Sequence, residues 1–295
     1  MQLSVIVCTY NRKDMLIGCL DSIARSLSHA QPVDAEIVVV DNASADGTPE
    51  TVEAWAARCA FPVQLLVERH KGPVHARNCG CRAARGGLLI FLDDDCHMDE
   101  GYVANALRCD ERAQEEVLYG GRVELGDASD LPLTIKTDPT PRRWNIAMHS
   151  ARHENLGNCL HGCNMMMRRS LLERVGPFDE FTDNDIDLVY RCYLAGVTIE
   201  YVPDIAVFHY HGRKTADEGY KVFRVYMMQM GALYAKYLLR APELCRPVVW
   251  DLRNAAKELM GQGNTFLPEI GFSHRHRLYY NAIGAVKYLR GRPVF

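Results

Sequence analysis

Three adjacent carboxylates, Asp93, Asp94 and Asp95, stand directly behind the apolar run Leu88–Leu92. Charges that close cannot be buried together without a cation or a large pKa shift. An apolar run of this length suits a fully buried strand, so the sequence delivers acid to the edge of a sheet. In an open α/β sheet the ligand crevice lies at the carboxyl ends of the strands, where a divalent metal and a phosphorylated ligand are expected. The competing reading is an acidic turn that caps the next helix.

Other groups fit the same crevice. The loop Thr9-Tyr10-Asn11-Arg12-Lys13 holds a phenol, an amide and a guanidinium, able to hydrogen-bond to or stack on a base and to pair with phosphate. A plain polar turn is the alternative. The loop has no glycine, which argues against the phosphate turns of dinucleotide oxidoreductases and P-loop kinases. Asp41, just past the apolar Ile37–Val40, is suited to accept from a base edge or ribose hydroxyl, or to serve the turn it shares with Ser44, Asp46 and Thr48. Lys71 and Arg77 flank a glycine turn, available to a diphosphate or to solvent. Cys159 and Cys163, with His161 between them, lack the remaining ligands of a closed zinc site and read as small buried residues.

Positioning such groups takes regular strand–helix alternation, and residues 1–124 have it. Leu3–Thr9, Ala35–Val40, Val63–Val67 and Leu88–Leu92 read as strands. Asp14–Leu27, with Leu16, Cys19, Leu20, Ile23 and Leu27 at helical spacing, a stretch from about Pro49, and His75–Ala84 read as helices. The order predicts right-handed crossovers and an α/β fold: a mostly parallel sheet with helices on both faces. Leu125–Asn158, rich in Asp, Pro, Arg and His, reads as long loops over the site, and Thr198–Val202 as a strand. Tyr220–Leu239, Val248–Met260 and Leu278–Leu289 carry helical periodicity.

A chain of 295 residues, 48% hydrophobic and 24% charged, can bury a core without disulfides. Eleven scattered cysteines and no leader-like start favour reduced thiols in a cytoplasm. No window of about 18 apolar residues suggests a membrane span. Charge is uneven: from Arg213 onward 14 Lys and Arg face 6 Asp and Glu, a net of +8, whereas the first 212 residues carry 20 against 31, a net of −11.

Taken together, Ser4–Arg12, Val38–Thr48, Gly72–Asn78 and Phe91–Asp95 closely resemble glycosyltransferase family 2, and the resemblance runs to about residue 212. It implies a GT-A fold with a nucleotide-sugar-binding half over 1–124, an acceptor-binding half over 125–212, and the basic helical region 213–295 appended. It implies donor contacts for Thr9, Tyr10, Asn11, Arg12, Asp41, Lys71, Arg77, Asp93 and Asp94. A divalent cation, Mn²⁺ or Mg²⁺, would rest on Asp95, Asp93 and His209, with His211 the alternative to His209. His161, Gly162, Asn164 and Asn184 fall in segments near the donor sugar or acceptor. Thr182–Arg191 stands where the family has Glu-Asp-x-Asp-Leu; Asn184 takes the Glu place and Asp185 that of the catalytic base, with Asp183 and Asp187 as competitors.

The resemblance implies inverting transfer of one sugar, from a UDP-sugar first of all, to a glycan or lipid-linked glycan; no nucleic acid is expected. Thr140-Pro-Arg-Arg-Trp144 lacks the Gln of the processive synthases' Gln-x-x-Arg-Trp, which favours single addition. A sugar nucleotidyltransferase would need a glycine-rich first loop, and Asn184 keeps a catalytically silent nucleotide-sugar binder as a further alternative. The basic helices are expected to pack on the body, to form a dimer contact, or to rest on an anionic membrane at its cytoplasmic face.

Overall fold

The structure, a computed structural model, describes residues 1–182 and 184–292. Four parallel strands open the chain: β1 (Leu3–Thr9), β2 (Ala35–Asp41), β3 (Val63–Val67) and β4 (Leu88–Asp93), joined by α1 (Lys13–His29), α2 (Thr48–Ala56) and α3 (Pro73–Ala83). Each element agrees with its sequence expectation to within about two residues at either end. After β4 come β5 (Cys96–Met98), α4 (Tyr102–Arg112), β6 (Val117–Leu125), β7 (Arg142–Trp144), β8 (Asn164–Arg168), α5 (Arg169–Val175), α6 (Asp185–Leu194) and β9 (Thr198–His209). Nine strands form one sheet in the order β3-β2-β1-β4-β8-β6-β9-β5, with β7 also paired to β9. Antiparallel β8, set between β4 and β6, makes the second half mixed rather than parallel. The strand foreseen over Thr198–Val202 continues to His209, past a register break opposite Pro203–Ile205, and Pro203 has no N–H to give the ladder.

Alternation along the buried strands divides the core. Val5, Val7, Ile37, Val39, Ile90 and Leu92 face α1, α2 and α4; Ile6, Val38, Val40, Leu89 and Phe91 face α3, α5 and α6. The second of these cores also takes in the C-terminal helices α7 (Ala216–Tyr237), α8 (Arg246–Leu259) and α9 (His274–Leu289), through residues such as Met230, Leu233 and Tyr237. Of the three placements foreseen for these helices, packing on the body is therefore observed. Helices α7 and α9 cross where neither has a side chain: a Cβ at Gly231 would lie 1.9 Å from the Asn281 carbonyl oxygen, and one at Gly284 1.8 Å from that of Met228. No described helix is long and apolar enough to cross a membrane.

A buried carboxylate ties the start of this sheet. Glu36 accepts from the Ser4 hydroxyl, the Arg85 N–H and guanidinium, and the Gln64 amide. Burial acts to raise its pKa, but these hydrogen bonds outweigh it and bring it down to about 2. A carboxyl depressed on folding stabilises the protein above its unfolded pKa, and that contribution disappears as pH falls through the folded value. The margin of the wild type over Glu36→Gln in urea midpoint is expected to shrink between about pH 4.5 and 2; a margin constant over that window would contradict this.

Candidate active site

The carboxyl ends of β1 and β4 open into a cleft of about 1200 Å³. Asp93 ends β4, and Asp94 and Asp95 form the turn into β5. Helix α4 begins seven residues beyond Asp95, with Gly101 as its N-cap, so the three acids cap no helix. Two arginines meet them instead. Arg12, at the start of α1, donates to Asp94 Oδ1 at 2.9 Å and Asp95 Oδ2 at 2.7 Å. Arg77, from α3, donates to Asp93 Oδ1 at 3.0 Å and also to Asp185, at the first turn of α6. His209 Nε2 lies 3.3 Å from Asp95 Oδ1, and Thr134 Oγ1 lies 3.4 Å from its Nδ1.

Burial and these charges set the protonation states. Asp95 is 4% exposed; burial acts to raise its carboxyl, but the His209 hydrogen bond and the His209 and Arg12 charges hold it well below the usual range. Asp94, similarly buried, rises to about 6 because burial outweighs Arg12. His209 rises to about 9: burial opposes its charge, and the bond to Asp95 wins. Burial lowers His161 to about 4 and keeps it neutral, and burial raises Asp185 against the pull of Arg77. Two carboxylates and an imidazole in an oxygen-rich cleft suit a hard divalent cation, and Asp93, Asp95 and His209 are the residues that would hold it.

The cleft brings together Thr9, Tyr10, Arg12, Lys71, Arg77, Asp93, Asp94, Asp95, His161, Gly162, Asn184, Asp185 and His209. Tyr10 is exposed, and its hydroxyl accepts from Lys71 Nζ at 3.0 Å. Gly162 abuts the base candidate: a Cβ there would lie 1.6 Å from Asp185 Oδ2. Asn184 is the N-cap of α6, its Oδ1 accepting from Ile186 N at 2.9 Å, so its amide does a helix-start duty that needs no second carboxylate.

Five residues that the sequence put forward, two of them as alternatives, stand elsewhere. Asn164 is fully buried, donating to the Arg122 and Ile205 carbonyls and accepting from Tyr102; its place beside a cleft motif was misleading because strand alternation turns its side chain into the core. Asp187 is also fully buried, bound by Arg191, Lys236 and Tyr237, and is closed to substrate. Asp41 is buried and accepts from Ser44 N, and Asn11 accepts from Ala45 N; neither lines the cleft. His211 uses both ring nitrogens, accepting from Arg213 N at Nδ1 and donating from Nε2 to the Leu131 carbonyl, which leaves no atom for a metal. Asp183 lies outside the described residues.

The model of the family Glycosyl transferase family 2 matches residues 4–176, more than half of the chain. The chain belongs to glycosyltransferase family 2. The chain is 26% identical over 212 residues to the glycosyltransferase AglE of Haloferax volcanii, across 70% of this chain and 66% of that protein. It is 30% identical over 118 residues to TarS of Staphylococcus aureus, a poly(ribitol-phosphate) beta-N-acetylglucosaminyltransferase, across 40% of this chain and 20% of that protein. The matched segments thus span less than two thirds of these relatives. Among solved structures, the mannosyltransferase PcManGT from Pyrobaculum calidifontis, in complex with GDP-Man and Mn²⁺, superposes with a TM-score of 0.63 at 21% identity, over 98% of this chain and 87% of that one. S. aureus TarS 1-349 in complex with UDP-GlcNAc gives 0.56 at 18% identity, over 99% and 93%. These likenesses show the GT-A fold.

Sequence reasoning passed over several residues of the cleft. Asn42 clamps the loop that carries Lys71, donating to the Glu68 and His70 carbonyls and accepting from Gly72 N. Its position beside Asp41 was the only local signal. Arg213, Arg246, Arg253, Tyr226 and Trp250 line the cleft from the C-terminal region. Among the described residues, those three arginines have no carboxylate partner, and Arg213 Nη1 is buried without a hydrogen bond.

Proposed function

We propose that this chain is an inverting, metal-dependent glycosyltransferase that moves one sugar from a nucleotide-sugar donor to a hydroxyl of a glycan or lipid-linked glycan. One observation carries the reading: Asp185, a carboxylate 92 residues beyond Asp93 in sequence, faces the same cleft and meets the acidic turn through a shared arginine, Arg77. Asp185 takes the acceptor hydroxyl proton as that oxygen attacks the anomeric carbon from the face opposite the diphosphate. The bond from the anomeric carbon to the diphosphate oxygen breaks, and the configuration inverts. Arg12 and Arg77 orient the acidic turn and meet diphosphate charge, while Tyr10 and Lys71 present a surface to the base. When bound, the divalent cation neutralises charge building on the departing phosphate.

The donor is a UDP-sugar in the first instance, with a GDP-sugar the alternative. Both classes of nucleotide appear in the solved structures that share the fold. Purified protein with Mn²⁺ or Mg²⁺ and a panel of nucleotide sugars is expected to release nucleoside diphosphate slowly from one donor, with water in place of the acceptor. EDTA should stop the release, and Asp95→Ala should lower it by at least about 100-fold. Release that survives both would sink the metal-dependent reading.

The cleft arginines without a carboxylate partner, Arg213, Arg246 and Arg253, support an acceptor that carries phosphate, as a lipid-linked glycan does. Helix α8 supports a membrane seat for it: Val249, Trp250, Leu252, Leu259 and Met260 are exposed beside Arg246, Arg253 and Lys257. The protein is expected to sediment with phosphatidylglycerol vesicles at low salt, less so with Trp250→Glu, and not with neutral phosphatidylcholine. A wild type that stays in the supernatant of both vesicle types refutes the membrane seat.

A further inference from the structure

We propose that Cys96, Cys163 and His209 form a soft-metal site at the floor of the cleft, at which Zn²⁺ binds and blocks the enzyme. Cys96 opens β5 and is the direct antiparallel partner of His209 at the end of β9, so the sheet register itself sets thiol against imidazole. Cys163 stands at the turn into β8. The two sulfurs and a His209 ring nitrogen all lie within 4.8 Å of one another, and all three residues are buried. Among the described residues, no other group of three His, Cys, Asp or Glu is drawn together in this way.

A fourth donor is adjacent. Asp95 Oδ1 lies 3.3 Å from His209 Nε2 and 3.9 Å from Cys96 Sγ. In tetrahedral zinc sites, Zn–S bonds of about 2.3 Å and Zn–N bonds of about 2.0 Å put ligand atoms roughly 3.5 to 4 Å apart. Small side-chain adjustments therefore close the site. Thr134 lies near Nδ1, and Nε2 is directed at Asp95. Cys163 and His209 line the cleft, which provides the way in.

The chemistry is ligand exchange without oxidation or reduction. Two thiol protons and the proton of the His209 imidazolium leave to solvent as two Zn–S bonds and one Zn–N bond form, and the Asp95 carboxylate completes the set. Thiolates select zinc over Mg²⁺ or Mn²⁺. Occupancy draws His209 and Asp95 away from a hard cation, so the inhibitory half of the proposal rests on the metal reading given above, whereas binding does not.

The test uses the full-length protein and Cd²⁺ as a spectroscopic stand-in for zinc. One equivalent should produce an ultraviolet thiolate-to-cadmium charge-transfer band, and Zn²⁺ should displace it. Cys163→Ser should weaken binding at least about 10-fold, whereas Cys59→Ser, remote from the trio in sequence and half-exposed, should leave it unchanged. Should Cys96→Ser fail to fold, Cys163→Ser decides alone. Absence of the band, or a band that Cys163→Ser leaves intact, overturns the site. Zn²⁺ in the presence of excess Mn²⁺ should also inhibit donor hydrolysis by the wild type, and Cys163→Ser should relieve it. A thiolate site that fills while hydrolysis continues overturns the inhibitory half alone. A protein that turns over no donor still decides the site by its spectrum.

Discussion

Asp185→Asn is expected to lower kcat for sugar transfer by about 1,000-fold, the middle of the range for removing a positioned general base. The substitution keeps the shape of the side chain and the first turn of α6, capped independently by Asn184. Donor affinity should change much less than kcat, because the Arg12, Asp94 and Asp95 set is untouched and Arg77 keeps its bond to Asp93. The wild-type pH profile supplies a second reading. Burial raises the Asp185 carboxyl above the ordinary range while Arg77 draws it back. A base must be ionised to act, so activity should fall as pH drops through this raised value, on a limb displaced upward from that of an ordinary aspartate. The Asn variant should lose that limb. Transfer within about 10-fold of wild type, or an unaltered acid limb, would falsify Asp185 as the base.

The second large effect is on stability. Lys236, on α7, reaches across to α6 and the loop before it, pairing with Asp187 at 2.6 Å and also with Asp179. Asp187 is fully buried, with Arg191 and the Tyr237 hydroxyl as its other partners. Replacing Lys236 by Met keeps the apolar stem but strips one cation from a buried carboxylate, and breaking such a pair costs about 3 kcal/mol or more. The loss should appear as a lower urea midpoint. Adding Asp187→Asn should recover part of it, since the neutral amide no longer needs the ammonium. An unchanged midpoint in Lys236→Met would mean that Arg191 and the Tyr237 hydroxyl suffice for the acid.

The strands and helices of the first half were legible because each is a local pattern: an apolar run of strand length, then helical spacing. The acidic turn at Asp93–Asp95 was legible as chemistry because a buried strand led straight into it. What the chain order concealed was pairing across distance. Nothing near Arg77 announces that it joins Asp93 to Asp185, and nothing near Asn78 that it grips the Phe178 backbone at both N–H and C=O. Motif proximity misled at Asn164, where one step along a strand exchanges cleft for core. It misled again at Asp187, two residues from the candidate base and on another face of the same helix. The contribution of α7 and α8 to the cleft was hidden for a further reason: aromatic and basic residues at helical spacing look alike whether they face solvent, a neighbour or a ligand.

The crossing of α7 and α9 at Gly231 and Gly284 bears on how the proposed acceptor region could vary. There the two helices touch main chain to main chain, so their separation is a fixed gauge, independent of any side chain that could be exchanged. Tyr226 and Met230 project from one helix and Arg277 from the other to line the cleft. Lineages could therefore swap those side chains, and with them the size and charge of the acceptor admitted, while the wall that bears them keeps its spacing. Selectivity would then drift on a rigid frame, and substitutions at the two glycines would be purged whichever acceptor is in use.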